Sequence, residues 1–329
     1  MDLSVLDNKL KRLKNKTNKK DLAVVCCYFN PCSYKSKLKN YEIFRAGIIS
    51  AGVRFLTVEL AFGNNNFELN KFSEVIHLRT AKKNVMWQKE RLLNIGIMQL
   101  IDEGYKKIAW LDTDVIFEDK NWVRKLSRTL EKYPLCQVFK GANINKDKKN
   151  KVFLKSFVEN ICKRRVRSKD YFPSDLDWKD STTGFGWVAR SDILRKVSLY
   201  DGSILGGGDI LIFLAAYSRE SSWLTNIKKL HIIELMPRSF LNHYIAWAEK
   251  WGALILGNVG FIEQNIKTLY HGELKSRNYK EREKILLEHD FNPEKDIKLD
   301  DNLCFEWNSE KLKLHQEVNK YFYLRKEDD

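Results

Sequence analysis

The apolar positions fall into alternating blocks of two kinds. Leu22 to Phe29 is a continuous apolar run of the kind that suits a parallel strand covered on both faces, and it stops at the turn signal Asn30-Pro31. Residues 37–51 carry a helical period, and Val53 to Phe62 reads as a second strand ending at Gly63-Asn-Asn-Asn. Val75 to Leu78 is a shorter strand, and Met86 to Ile101 is the clearest helix, with Gly104 as its stop. Ile108 to Leu111 is a further buried strand, followed by a helix over Trp122–Tyr133 and a strand over Leu135–Gly141. Residues 145–180 are lysine-rich and read as an irregular surface insertion. Order returns at Ser181 to Arg190, and Leu205-Gly-Gly-Gly-Asp209 leads into the apolar helix Ile210–Tyr217. This alternation predicts an α/β fold with an open, mostly parallel sheet, whose ligands bind outside the carboxyl ends of the strands. Asp112, Asp114, Tyr28, Phe29, Asn30 and Glu59 all fall at such ends.

Composition narrows the class. With 329 residues, 43% hydrophobic content and nine tryptophans, the chain is globular. It has no run near the ~20 apolar residues of a membrane-spanning helix, and no apolar segment follows its charged start, so a cytoplasmic protein is expected. The six cysteines lack metal-ligand spacing and read as small hydrophobes in a reducing compartment. The net charge of +15 includes seven basic residues between Lys9 and Lys20, in a stretch where Leu3, Leu6, Leu10 and Leu13 recur with helical spacing. A second block gathers five more between Lys163 and Lys169. Such blocks are solvated faces or attract a polyanion, and nucleic acid, an anionic membrane and an acidic glycan all fit. The expected organisation is a basic arm over 1–20, a main domain over 21–291 with the insertion 145–180, and an extension over 292–329 packed on it.

Chemistry concentrates at Trp110-Leu-Asp-Thr-Asp114. Two carboxylates one residue apart at a strand end form a half-shell for Mg²⁺ or Mn²⁺ that leaves positions open for phosphate, although Asp-Thr-Asp is also a common turn.

Five ordered pieces carry a family resemblance: Met86-Trp-Gln-Lys-Glu-Arg-Leu-Leu-Asn94, Trp110 to Asp114, Gly184-Phe-Gly-Trp187, Gly206-Gly-Gly-Asp209 and Tyr270-His-Gly272. Together they resemble the motifs of metal-dependent GT-A glycosyltransferases, most of all the beta-1,4-galactosyltransferase-like branch. With Asn30-Pro31, Val58 to Gly63, Arg277 to Arg282 and Tyr321 to Asp328 added, the chain resembles still more closely the uncharacterised glycosyltransferase-like proteins of bacteria and bacteriophages. The resemblance implies a GT-A fold and a nucleotide-sugar donor, a UDP-sugar, transferred with inversion. A surface or capsular glycan is the default acceptor, and a modified base of phage DNA would account for the basic arm and the Lys163–Lys169 block.

The resemblance makes Asp114 the main metal ligand, with Asp112 acting through water or on the ribose and His271 as third ligand; an imidazole ligand favours Mn²⁺ over Mg²⁺. It makes Asp209 the general base, though an Asp before an apolar helix also reads as an N-cap. Arg277 and Arg282 are placed toward the diphosphate, with Arg277 the stronger candidate because Arg282 lies among charges that pair along a helix. Tyr28, Asn30 and Glu59 fall to the base and ribose, Lys89 and Asn94 to the donor, and Gly184, Trp187 and Gly208 to the acceptor. Two positions depart from the branch, which has Arg where Lys89 stands and Glu where Gly208 stands. Two rival readings remain. A nucleotidyltransferase would use the same carboxylate pair, but no glycine-rich phosphate loop follows the first strand. A basic nucleic-acid-binding module would not depend on Asp112, Asp114 or His271.

Overall fold

The computed structural model describes residues 20–165, 178–279 and 281–329. The basic arm up to residue 19, most of the Lys163–Lys169 block and Lys280 lie outside the described residues. The first half of the chain runs β1 (Leu22–Phe29), α1 (Lys35–Ser50), β2 (Arg54–Phe62), β3 (Val75–Thr80), α2 (Lys89–Asp102), β4 (Lys107–Leu111), β5 (Val115–Phe117), α3 (Trp122–Lys132), β6 (Leu135–Gln137), β7 (Gly141–Asn145), β8 (Lys151–Ser156) and α4 (Phe157–Arg165). There follow β9 (Ser181–Thr182), β10 (Gly186–Arg190), α5 (Gly208–Ala215), α6 (Arg238–Ile255), β11 (Val259–Phe261), β12 (Asn265–Thr268), α7 (Arg282–Glu288), β13 (Ile297–Leu299), β14 (Phe305–Trp307) and α8 (Leu312–Leu324).

The central sheet has the order β11-β6-β10-β4-β1-β2-β3. Its neighbours are parallel except where β10 runs antiparallel to β4 and β6. The expected mixed α/β architecture, a mostly parallel sheet flanked by helices, is therefore what the chain adopts. β1 is buried on both sides. Val25 faces the core shared with Leu92, Leu93 and Ile97 of α2, while Val24 and Cys26 face Tyr41 and Phe44 of α1 and Leu126 of α3. This is why β1 reads as an unbroken apolar run. Gly96 lets α2 lie close on the sheet, because a Cβ there would stand 2.6 Å from Val25 Cγ2.

A second sheet, β5-β12-β7-β8-β9, leans against the first. It corrects the reading of 145–180 as irregular. Residues 151–165 are a strand and a helix, and Phe157, Val158 and Ile161 are buried core. The alternation of lysine with apolar residues along β8 is the period of a strand with one wet face. At the far end of the chain, Leu314, Val318, Tyr321 and Phe322 of α8 join the α2-side core. Among the described residues, no helix is long and apolar enough to cross a membrane.

Candidate active site

β4 delivers two carboxylates to the carboxyl edge of the sheet. The Asp112 backbone N–H donates to the Phe185 carbonyl at 3.0 Å, and the Phe185 N–H returns to Asp112 Oδ2 at 3.3 Å. Phe185 holds φ at +77°, so the loop before β10 is bent around this carboxylate. Asp114 is buried, and its Oδ2 lies 2.9 Å from His271 Nε2. Arg277 Nη2 approaches the same nitrogen at 2.8 Å. One ring nitrogen cannot serve both neighbours. Bare, it accepts from Arg277 and turns a lone pair on the carboxylate; protonated, it donates to Asp114 and opposes the guanidinium. Burial pushes the Asp114 carboxyl up, but His271 and then Arg277 pull it down by more, so the net direction is downward.

A second cluster lies beside the first. Lys89, at the start of α2, places its ammonium 2.6 Å from Asp112 Oδ1 and 3.0 Å from Asp209 Oδ2. Burial drives the Asp209 carboxyl up, Lys89 opposes this and Asp112 adds to it, leaving the group above the ordinary range. Gly206 and Gly207, at φ +91° and +89°, bring the chain into α5 in a conformation that favours glycine. Asp209 sits in the first turn of α5 and is not its N-cap, contrary to that reading, because Gly207 holds the cap position; its Oδ2 meets Lys89 instead.

The structure adds an acid that sequence reasoning missed. Glu90 is 3% exposed, and a Cβ at Gly208 would stand 2.2 Å from its Oε1. Burial pushes this carboxyl up to about 8.

Next to β4, the ends of β1 and β2 border a cleft of about 660 Å³, lined by Tyr28, Asn30, Tyr34, Lys39, Glu59 and Glu68 among others. Tyr28 donates to Glu68 Oε2 at 2.7 Å, and Asn30 Nδ2 donates to Glu68 Oε1 at 2.9 Å. Glu59 accepts the Glu68 and Leu69 amides at 2.6 and 3.2 Å, so it shapes the loop carrying Glu68. Glu68 stands in a loop without periodicity, and no sequence signal marked it.

Other predicted site residues lie apart. Asn94 is spent on Leu199 and Asp201. Trp187 is fully buried in β10 opposite Trp110, with its indole N–H on the Thr183 carbonyl. It is core, not a platform for a sugar. Gly184 closes a tight turn on Thr182 Oγ1 at 3.1 Å. Arg282 is buried, pairing with Glu283 at 2.8 Å and donating to the Tyr321 hydroxyl at 3.2 Å, so it buttresses Gly206 from behind. Arg277 Nε is buried and has no hydrogen-bond partner among the described residues, while its two Nη atoms reach His271 and the Tyr279 hydroxyl.

No group of three or more His, Cys, Asp or Glu among the described residues stands ready to hold a metal ion. The Asp114–His271 pair nonetheless fits two adjacent corners of an octahedral ion. Ligands at about 2.1 Å and at right angles lie about 3 Å apart, close to the 2.9 Å found here.

Neither protein-family models nor curated proteins match the chain. Solved structures do. Glucosyl-3-phosphoglycerate synthase from Mycobacterium tuberculosis, in complex with Mg²⁺ and uridine diphosphate, is 10% identical with a TM-score of 0.39, over 85% of this chain and 81% of that one. A protein assigned as a nucleotide-diphospho-sugar transferase from Desulfovibrio desulfuricans G20 is 8% identical with a TM-score of 0.29, over 71% and 98%. A protein assigned as a glucose-1-phosphate thymidylyltransferase from Bacillus anthracis, in complex with a sucrose, is 9% identical with a TM-score of 0.34, over 86% and 98%. All three are distant similarities.

Proposed function

We propose that the chain is a divalent-metal-dependent glycosyltransferase of the GT-A fold, in the beta-1,4-galactosyltransferase-like branch, moving a sugar with inversion from a UDP-sugar to a hydroxyl acceptor. The observation that carries this reading is the pair of adjoining charge clusters at the end of β4, Asp114–His271–Arg277 and Asp112–Lys89–Asp209.

Asp114 and His271 would hold the ion, with Asp112 beside them. When bound, the ion supplies positive charge to the departing diphosphate. Arg277 offers a planar fork to the same phosphates by exchanging its bonds to His271 and the Tyr279 hydroxyl for them. Asp209 accepts the proton of the acceptor hydroxyl, and its raised basicity suits that role. Lys89 keeps the two acidic groups in place while neither has a ligand. The cleft beyond β1 and β2 takes the base, with Tyr28, Asn30 and Glu68 as its polar wall.

A panel of nucleotide-sugars with Mn²⁺, read by release of nucleoside diphosphate, tests the proposal. We expect turnover of one UDP-sugar, its loss in Asp114→Ala, and a drop of about 10²–10⁴-fold with UDP binding retained in Asp209→Asn. A folded wild-type protein that neither binds UDP nor turns over any donor overturns the reading.

A further inference from the structure

The second sheet turns one face to solvent, and its side chains form a pattern unrelated to the charge clusters above. Along β8, Lys151, Phe153 and Lys155 all point outward while their neighbours point in. Asn145 and Asn143 lie opposite Lys151 and Phe153, and Lys267 of β12 continues the row beyond Asn143. Asn265 lies beside Gly141 on the same face.

Phe153 is 48% exposed. Its ring reaches over Gly141, where a Cβ would come within 2.1 Å of Cζ, and nearly half of the residue stays open to water. Among the described residues it stacks on no other ring. Lysines outnumber acids around it. Lys151, Lys155, Lys146, Lys148 and Lys149 form no ion pair among the described residues, and Lys267 pairs with Glu118 at 2.6 Å. The nearby Asp147 keeps its charge and accepts the Lys149 and Asn150 amides at 2.8 Å each, and the lysines around it outnumber it. The hairpin also joins the segment that carries His271 and Arg277, through Asn145 Nδ2 on the Thr268 carbonyl and the Leu274 N–H on the Lys146 carbonyl.

We infer that this face binds single-stranded nucleic acid, with a base stacked on Phe153, the backbone phosphates on Lys151 and Lys155, and Asn143 and Asn265 within reach of base edges. An exposed ring set between cations is the arrangement that stacks unpaired bases, and every base offers a π-face to it. A polyanion without rings, such as an acidic glycan, would use the lysines and leave Phe153 in water. The inference stands apart from the transferase reading, since it needs neither donor nor metal.

The test is fluorescence anisotropy of the full chain with a labelled 15-nucleotide oligothymidylate, without Mn²⁺ or nucleotide, between 50 and 200 mM salt. We expect salt-dependent binding that weakens about 5- to 100-fold in Phe153→Ala and is kept in Phe153→Trp. In the Lys151→Ala/Lys155→Ala variant the slope of log K against log salt should fall by about 1.4, from about 0.7 per lost phosphate contact. Because these side chains are exposed, circular dichroism should show unchanged folding. The inference is overturned if the wild type does not bind, or if Phe153→Ala and the double lysine variant bind as the wild type does. It is equally overturned if inorganic polyphosphate competes as well as the oligonucleotide and Phe153→Ala makes no difference.

Discussion

Glu90 shows what burial does to a single acid. Its carboxyl forms no ion pair and no hydrogen bond with another side chain among the described residues, and burial holds it at about 8, with Lys89 opposing and Asp209 reinforcing. An unfolded Glu titrates near 4.3. Between these values the folded protein carries a proton that the unfolded chain has lost, so the contribution to stability is complete below pH ~4.3 and disappears as pH rises through 8. Melting temperatures of Glu90→Gln, measured from pH 4 to 9, should therefore fall less steeply with pH than those of the wild type. Parallel curves would show that Glu90 is ionised in the folded state. At this scale the sequence was readable where residue type and position both spoke: Asp112, Asp114, Lys89, Asp209, His271 and Arg277 do meet at one edge. Trp187 misled because the resemblance put it toward an acceptor, whereas pairing with β4 places it inside the sheet. Glu90 stayed hidden because nothing in a helical pattern announces that another chain segment will be a glycine pressed against it.

The start of α1 shows how one element depends on another far along the chain. Tyr34, at its N-cap, offers no side-chain bond. The Asp328 carboxylate supplies it, accepting from the Lys35 and Ser36 amides at 2.9 and 2.8 Å. Burial raises that carboxyl slightly, and the Ser36 and Lys35 amides outweigh it, so it stays below its ordinary range. Neighbouring bonds reinforce the clasp: Ser36 Oγ donates to the Glu327 carbonyl at 2.9 Å, and the Tyr270 hydroxyl to the Asp329 carbonyl at 2.6 Å. Loss of a cap costs about 0.5–2 kcal/mol, and Asp328→Ala should lower stability by that amount in chemical denaturation. It should also weaken UDP binding, because the Asn30–Tyr34 loop borders the cleft, with Asp328→Asn affected less. Unchanged stability and affinity in Asp328→Ala would show that α1 does not use the cap. Strands β1 to β4 and helix α2 were legible because buried parallel strands leave unbroken apolar runs and long amphipathic helices leave a strong period. The direction of β10 was not, since alternation fixes which residues face inward and says nothing of which neighbour a strand will choose.

For the molecule as a whole, the candidate site draws on separated stretches: the ends of β1 and β2, the α2–β4 unit, the loop before α5, and the 268–282 segment. A ligand that touches several of them stabilises all of them against unfolding. At a hundred times its dissociation constant, a ligand adds about 2.7 kcal/mol. UDP with Mn²⁺ should therefore raise the melting temperature by several degrees, more than UDP with chelator, and Asp114→Ala should erase the difference. Equal shifts with and without the ion would remove the metal from the site. Composition announced a basic chain, but it did not reveal that unpaired lysines would gather around an exposed ring on the second sheet, because that depends on pairing β7, β8 and β12.

The clasp on α1 also has a consequence in time. Asp328 meets Lys35 across 293 residues. At about 5–20 residues per second, roughly 15–60 s of translation separate the two partners. Throughout that interval the start of α1 lacks the carboxylate that caps it, so the nascent chain passes through a stage in which this helix end is still open.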